Sequence, residues 1–159
     1  MDFNNIQTMI NDMNKEIEEL RETYKQKTQK LFKKAFLAFF EQNPEVTAVG
    51  WRQYTPYFND GDTCEFSSYA CYATVTNAKD YENVVHGEYQ GEDEGVWIYD
   101  PDYGSLNEEL IPPTVAANSD ALRKLLGSVS DDMYQSMFGD HVVVTSTREG
   151  FDVTDYEHD

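Results

Sequence analysis

The stretch LFKKAFLAFFEQNP, residues 31–44, decides the fold of this chain. Its apolar residues recur with the helical period and form a broad stripe, which is typical of a helix buried against a sheet; they are Leu31, Phe32, Ala35, Phe36, Phe39 and Phe40. Asn43-Pro44 ends the helix, because the residue before a proline avoids the α region. Followed backwards, the helical period reaches Phe3, so the sequence predicts one long helix over residues 3 to about 42.

The first half of this helix carries a narrower apolar seam. Its members repeat at alternating spacings of three and four, as the a and d positions of a coiled coil do: Phe3, Ile6, Ile10, Met13, Ile17, Leu20 and Tyr24. Lys27 falls on the seam and interrupts it. We expect the second half of the helix to pack on the domain. We expect the first half to project to a partner or to a second copy of the chain, so a homodimer is one expectation.

From Val46 onwards the pattern is that of extended chain. Val46–Tyr54 and Cys64–Val75 flank a turn at residues 58–62, in which Gly61 can take positive φ, and together they predict an antiparallel hairpin. A third strand is predicted at residues 95–99. Residues 77–94 are polar and turn-rich, and residues 104–118 are predicted to form a loop.

Two short helices and a hairpin are predicted to close the chain. Ser119 is expected to cap a helix over residues 120–126, and Ser130 a helix over residues 131–138. Strands at residues 141–148 and 151–156 then flank a turn at Glu149-Gly150. The fold class is therefore α+β: a long N-terminal amphipathic helix (1–42) on a mainly antiparallel sheet, with an acidic body (43–159), in a single domain.

The charge distribution restricts the partners. The first forty residues carry seven Lys/Arg and six Asp/Glu, whereas the remaining residues carry five and twenty-four, a net charge of −19. Nucleic acids and anionic membranes bind to Lys/Arg and are repelled by such a surface. The basic stretch at residues 25–34 is interleaved with the apolar stripe, so a solvated helix face is favoured over a nucleic-acid site. We expect no nucleic-acid and no membrane partner.

Cysteine usage and the N-terminus indicate the compartment. Cys64 and Cys71 are seven residues apart, which places them on opposite faces of one extended strand, so free thiols are expected. The N-terminal segment is charged and amphipathic, unlike a signal peptide, and no apolar run reaches membrane-spanning length. We expect a cytoplasmic protein.

The sequence offers few groups that could act in catalysis. The imidazoles are His86, His141 and His158, and neither a nucleophile elbow nor a phosphate-binding glycine motif accompanies them. His141 is interpreted as a strand-edge residue and His158 as part of the acidic tail. No catalytic residue is therefore assigned.

Clusters of carboxylates are the remaining chemical option. Hard-oxygen ligands for a divalent ion occur at Asp60, Asp62 and Glu65, at Asp100 with Asp102, and at Glu92-Asp93-Glu94. Among thirty acidic residues such groups arise by chance, so neither a metal nor a cofactor is expected. A metal-dependent enzyme and a carboxylate pair for glycoside hydrolysis stay open as alternatives.

The aromatic and acidic stretch at residues 51–62 allows two interpretations. Its aromatics either fill the core beneath the helix, which is favoured, or form a recognition surface, since Tyr and Trp give large contact areas at low entropic cost. The candidate binding surface comprises Trp51, Tyr54, Tyr57, Asp60, Asp62, Glu65, Glu92, Asp93, Glu94, Asp100 and Asp102.

Residues 1–20 and 43–66, which include QYTPYFNDGD at positions 53–62, resemble small early proteins of T-even-type bacteriophages. The group has no assigned activity, so the resemblance carries over no catalytic residue. It implies a phage protein that acts in the host cytoplasm.

The sequence therefore predicts a non-enzymatic accessory protein that binds and modulates a host protein with a basic surface. In a sharper version, its carboxylates mimic the charge of DNA and occupy a nucleic-acid groove of that partner. The alternatives are a metal-dependent enzyme and a structural protein that oligomerises through the N-terminal helix.

Overall fold

The computed structural model describes residues 2–86, 98–100, 104–105, 109 and 111–158. The chain divides into two compact units, Met1–Phe32 and Lys33–Asp159. The first unit is part of a single helix. The second contains the end of that helix, the sheet and three further helices.

The long N-terminal helix, α1, runs from Phe3 to Gln42, as predicted. Asp2 begins it, because its carboxylate accepts a hydrogen bond of 2.9 Å from the Asn5 backbone N–H. Asn43 ends it: the Asn43 side-chain amide donates to the Phe39 carbonyl at 2.7 Å and satisfies one of the last helical acceptors.

Seven strands form one sheet in the order β5-β4-β3-β1-β6-β7, with β2 also paired to β1. All pairs are antiparallel. The strands are β1 (Ala48–Tyr54), β2 (Ser67–Ser68), β3 (Thr74–Thr76), β4 (Ile98–Asp100), β5 (Gly104–Ser105), β6 (Val142–Thr147) and β7 (Gly150–Asp155). The predicted α+β class with an antiparallel sheet is confirmed.

The predicted hairpin exists, but its second strand is interrupted. Gln53 of β1 faces Ser68, and Gly50 faces Thr74. Three steps along β1 thus correspond to six steps on the opposing chain. The surplus residues leave the sheet as a 3-10 turn at Ala70–Tyr72, which separates β2 from β3. One continuous strand over residues 64–75 was therefore a wrong prediction.

The helix predicted over residues 120–126 starts seven residues earlier. The structure has α2 at Glu82–Val85, α3 at Pro113–Leu126 and α4 at Asp131–Phe138. Pro113 occupies the first turn of α3, where its fixed φ suits the helix and its missing N–H costs nothing. Ser119 consequently lies in the middle of α3 and is buried rather than capping it, and the loop predicted over residues 104–118 is wrong for residues 113–118.

The other late elements agree with the sequence. The Ser130 hydroxyl accepts a hydrogen bond from the Met133 N–H at 3.3 Å and so caps α4. Gly139 ends α4 with a φ of 95°, a conformation that favours glycine. The C-terminal hairpin pairs β6 with β7 in the register Val142↔Asp155. Of the third predicted strand, residues 95–97 lie outside the described residues, and β4 contains the remainder.

The core lies on the face of the sheet that carries Trp51. The Trp51 ring stacks on Phe36 of α1 at 6.0 Å and meets Tyr134 and Phe138 of α4 edge-on at 6.0 and 5.8 Å. Phe151 of β7 contacts Phe36 at 5.3 Å. The aromatic stripe at the end of α1 therefore fills the core between α1, α4 and the sheet, as the sequence indicated.

Candidate binding surface

The acidic turn, defined here as Asp60, Asp62 and Glu65, is exposed. Asp60 and Gly61 have φ values of 46° and 88°, so the prediction of positive φ at Gly61 is confirmed. The Asp62 N–H closes the turn on the Asn59 carbonyl at 2.8 Å. The fold thus presents these carboxylates to solvent.

Trp51 does not belong to the surface. Its side chain is only 3% exposed and its indole N–H donates to the Gln53 side-chain oxygen at 3.1 Å. Gln53 is itself fully buried, and its amide donates to the backbone oxygens of Tyr134 and Gly139. Trp51 alternates with exposed Arg52 along β1, so it points into the core. Its place in the predicted binding surface is corrected to a core position.

Tyr54 and Tyr57 contact two histidines that the sequence analysis interpreted as a strand-edge residue and as part of the acidic tail. Tyr57 stacks on His158 with 4.4 Å between ring centroids and on His141 with 5.0 Å. Tyr54 lies 4.2 Å from His158 and 5.3 Å from Tyr156. We call these five side chains the tyrosine–histidine cluster. Tyr57 is 64% exposed, so the cluster reaches the surface.

The two imidazoles of the cluster contact each other directly. His141 Nδ1 and His158 Nε2 are 2.8 Å apart, a hydrogen-bond distance that requires one ring to donate and the other to accept. This contact and the ring stacking hold the C-terminal residues against β6. Residue 158 is therefore a packed residue rather than part of a free acidic tail.

The Asp140 carboxylate fixes the backbone next to the tyrosine–histidine cluster. Its carboxylate accepts hydrogen bonds from the Thr55 N–H, the Thr55 hydroxyl and the His141 N–H. Burial acts to raise the pKa of Asp140, but these hydrogen bonds to the charged form outweigh it, so the pKa is lowered. His141 takes a φ of 54° beside this carboxylate. The segment after β1 and the start of β6 are thus joined through one partly buried anion.

The cluster was within reach of the sequence. The predicted C-terminal hairpin, with its turn at Glu149-Gly150, brings the start of one strand and the end of the other together; in the structure the turn lies one residue earlier, and the Tyr156 N–H bonds the His141 carbonyl at 2.8 Å. That register brings His141 and His158 to one end of the sheet. The approach of Tyr54 and Tyr57 needed the pairing of β1 with β6, which is long-range and has no local signal.

Five predicted surface positions lie wholly or partly outside the described residues. Glu92, Asp93, Glu94 and Asp102 lie outside the described residues, and Asp100 is described only as backbone of β4. Within the described part of the chain, no three His, Cys, Asp or Glu side chains come together in a group that could hold a metal ion. Cys64 and Cys71 are unpaired thiols, as predicted.

Arg123 and Arg148, two arginines of the acidic part, donate hydrogen bonds to backbone carbonyls. Arg148, in the turn between β6 and β7, donates to the carbonyls of Val46 at 2.5 Å, Pro44 at 3.0 Å and Phe40 at 3.2 Å. Arg123 is buried in α3 and donates to the carbonyls of Ala73 and Tyr99. Both guanidinium groups therefore tie elements of the fold together, and that of Arg123 also lies 3.8 Å from the exposed carboxylate of Asp120.

The carboxylates, in contrast, are at the surface. Between residues 41 and 158, every acidic side chain whose burial is described is exposed except Asp140. Over the same described residues, only Asp120 and Asp140 lie within 4.0 Å of a basic side-chain nitrogen. The negative charge is therefore largely uncompensated.

The seam of α1 is exposed as well. Its seven side chains, Phe3 to Tyr24, are between 40% and 89% exposed. Met9, which flanks the seam, is 57% exposed. A continuous apolar face of this length is unusual on a monomer surface.

Comparison with known proteins gives no relative: no protein-family model, curated protein or solved structure matches the chain significantly. Among the helices of the described residues, none combines the length and the apolar character needed to cross a bilayer.

Proposed function

We propose that this protein acts by binding a partner protein with a basic surface through its exposed carboxylates. If the resemblance to early phage proteins holds, the partner is a protein of the bacterial host. In this proposal the chain modulates its partner by occupancy and performs no reaction of its own.

The proposal rests on a difference between the arginine side chains and the carboxylates of residues 41–158. Arg123 and Arg148 donate to backbone carbonyls within the fold, whereas the described acidic side chains of residues 41–158 are exposed except Asp140, and only Asp120 and Asp140 among them lie within 4.0 Å of a basic side-chain nitrogen. Uncompensated surface charge repels itself and lowers stability. A basic partner would relieve that repulsion, and long-range attraction would also speed its association.

The acidic turn at the tyrosine–histidine cluster is the best candidate for the contact. Tyr57 lies three residues before Asp60 and stacks on His158, which directly follows the exposed Glu157. Stacked rings are pre-ordered, so little entropy would be lost when a partner contacts them. Tyrosines bordered by carboxylates combine an apolar anchor with charge, as contact centres of interfaces do.

The test is affinity capture from host lysate, with washes at low and at high salt. We expect a partner with a basic surface to be retained at low salt and released at high salt, because screening weakens exposed charge pairs. Capture of proteins without basic surfaces, or capture unchanged at about 0.5 M salt, where the screening length falls to a few ångströms, would contradict the proposal.

A matched pair of variants locates the surface. Asp60→Asn, Asp62→Asn and Glu65→Gln together remove three charges from the acidic turn. Glu41→Gln, Glu45→Gln and Asp80→Asn remove three exposed charges elsewhere. We expect the first triple variant to weaken binding to the captured partner by at least roughly 10-fold and the second by much less. Equal losses would indicate that net charge alone, and not this surface, drives binding.

Competition distinguishes mimicry of nucleic acid from other acidic binding. If the carboxylates occupy a nucleic-acid groove, duplex DNA added in excess will displace the protein from its partner. If both bind together, the sharper version is wrong while the acidic contact stands.

A further inference from the structure

The seam of α1 is an interaction surface that the acidic-surface proposal does not use. From Asn4 to Tyr24 every residue of α1 is exposed, including large apolar side chains that recur along one helical stripe. Solvation of such a stripe is unfavourable, and burial of the stripe against another helix removes that cost. We infer that this stripe is a homodimer interface, in which two copies of the chain pair their N-terminal helices in parallel and in register.

The residue types at the core positions favour two parallel helices. With Phe3 as a, the a positions are Phe3, Ile10, Ile17 and Tyr24, and the d positions are Ile6, Met13 and Leu20. In parallel coiled coils, β-branched residues at a combined with leucine at d favour two strands over three or four. Ile10, Ile17 and Leu20 follow this rule at the centre and end of the seam.

Charge complementarity supports the same alignment. Glu16 falls at a g position and Arg21 at the following e position. In a parallel, in-register pair these positions face each other across the interface, so two Glu16–Arg21 contacts form. In an antiparallel pair g faces g, and each glutamate loses its arginine. Arg21 now contacts Glu18 of its own helix at 3.2 Å, with both side chains more than 70% exposed, and so is free to reorient.

The basic stretch sets the end of the interface. The next seam positions after Tyr24 include Lys27 at d, and Lys30 follows at g. A parallel pair would bring the two copies of Lys27 together at the d position, which is unfavourable, whereas Lys30 at g would face an e position of the partner. The paired region therefore ends near Tyr24 and spans about three heptads, roughly 33 Å of helix.

The first experiment measures the mass of the full chain by light scattering over a broad concentration range. We expect a concentration-dependent dimer. Ile10→Glu with Ile17→Glu should raise its dissociation constant more than roughly 10-fold, because core isoleucines are lost from both helices. The control Asn4→Glu with Asn11→Glu adds the same charge at b positions and should leave the mass unchanged. A monomer at all concentrations, or equal effects of the two pairs, would overturn the inference.

The second experiment tests the alignment. In a Cys64→Ser, Cys71→Ser background, Ile6→Cys should form a disulfide-linked dimer on oxidation only if the helices are parallel, since residue 6 is near one end of the seam. Glu16→Arg and Arg21→Glu should each weaken the dimer, and the double variant should restore it. Dimerisation without the Ile6→Cys cross-link would refute the parallel alignment. Circular dichroism of each variant confirms that the fold is retained.

Discussion

The carboxylate of Asp140 accepts two hydrogen bonds from Thr55, at 2.8 Å from the backbone N–H and at 2.6 Å from the hydroxyl. The two residues are 85 positions apart, and their contact fixes the exit of β1 against the start of β6. The tyrosine–histidine cluster lies directly beside this contact.

Asp140 should give the protein an acid-sensitive contribution to stability. Its folded-state pKa is lowered, so the contribution is present above the unfolded value near 3.9 and is lost as the pH falls through the folded pKa. We expect Asp140→Asn to lower the free energy of unfolding at neutral pH by about 1.5–3 kcal/mol. Urea unfolding at neutral pH and at about pH 3 should show this deficit narrowing in acid. Asp152→Asn, at an exposed site, is the control; a deficit independent of pH would contradict the account.

Substitution of Ser119 and of Ser130 by alanine should have different effects on the stability of the protein. The Ser119 hydroxyl is buried and has no hydrogen-bond partner among the described residues, so Ser119→Ala should leave the melting temperature unchanged or raise it. Ser130→Ala removes the cap of α4 and should cost about 0.5–2 kcal/mol. Differential scanning calorimetry of the two variants measures both effects. A loss at Ser119 as large as that at Ser130 would contradict the absence of a stabilising hydrogen bond at the Ser119 hydroxyl.

Arg148 should be a stabilising residue although it lies at the surface. Its guanidinium joins carbonyls at the end of α1 to the start of the body, and cations are favourable at a helix C-terminus. We expect Arg148→Ala to cost about 1–3 kcal/mol, with Arg148→Lys recovering only part, since an ammonium cannot span several carbonyls. Lys124→Ala, also exposed, is the control for charge removal in chemical denaturation. Equal effects at the two sites would refute this role.

Trp51 and Phe58 separate core from surface within the aromatic stretch. Trp51 is 3% exposed and Phe58 is 74% exposed. Trp51→Ala should cost about 3–5 kcal/mol in unfolding free energy, whereas Phe58→Ala should change it by less than about 0.5 kcal/mol. The two equilibrium unfolding curves measure this directly. A small effect at Trp51 would contradict its contribution to the core.

Elements with a strong local signal were predictable. The periodicity from Phe3 and the Asn43-Pro44 stop defined α1, and Ser130 with Gly139 defined α4. In each of these, neighbouring residues supply both the pattern and the cap. Ser119 misled the prediction because serine is typical of a cap, while Pro113, six residues earlier, carried the actual start of α3.

The candidate surface was only partly predictable. Hydrophilicity placed Asp60, Asp62 and Glu65 in an exposed turn, since charged side chains avoid burial. Trp51 lies in β1 on the face that packs against Phe36 of α1, whereas Tyr57 follows the end of that strand, and the composition of the stretch does not say which of its aromatics is covered. The contacts of Tyr57 with His141 and His158 likewise depend on tertiary packing.

The sequence by itself determined the helix, the antiparallel sheet class and the sign of the charge, because local periodicity and composition suffice for these. Only the tertiary structure decided which aromatics are buried and where the arginines bind. It also decided that the histidines meet each other and Tyr57, three residues before the acidic turn. These outcomes depend on contacts between residues tens of positions apart, which no local pattern encodes.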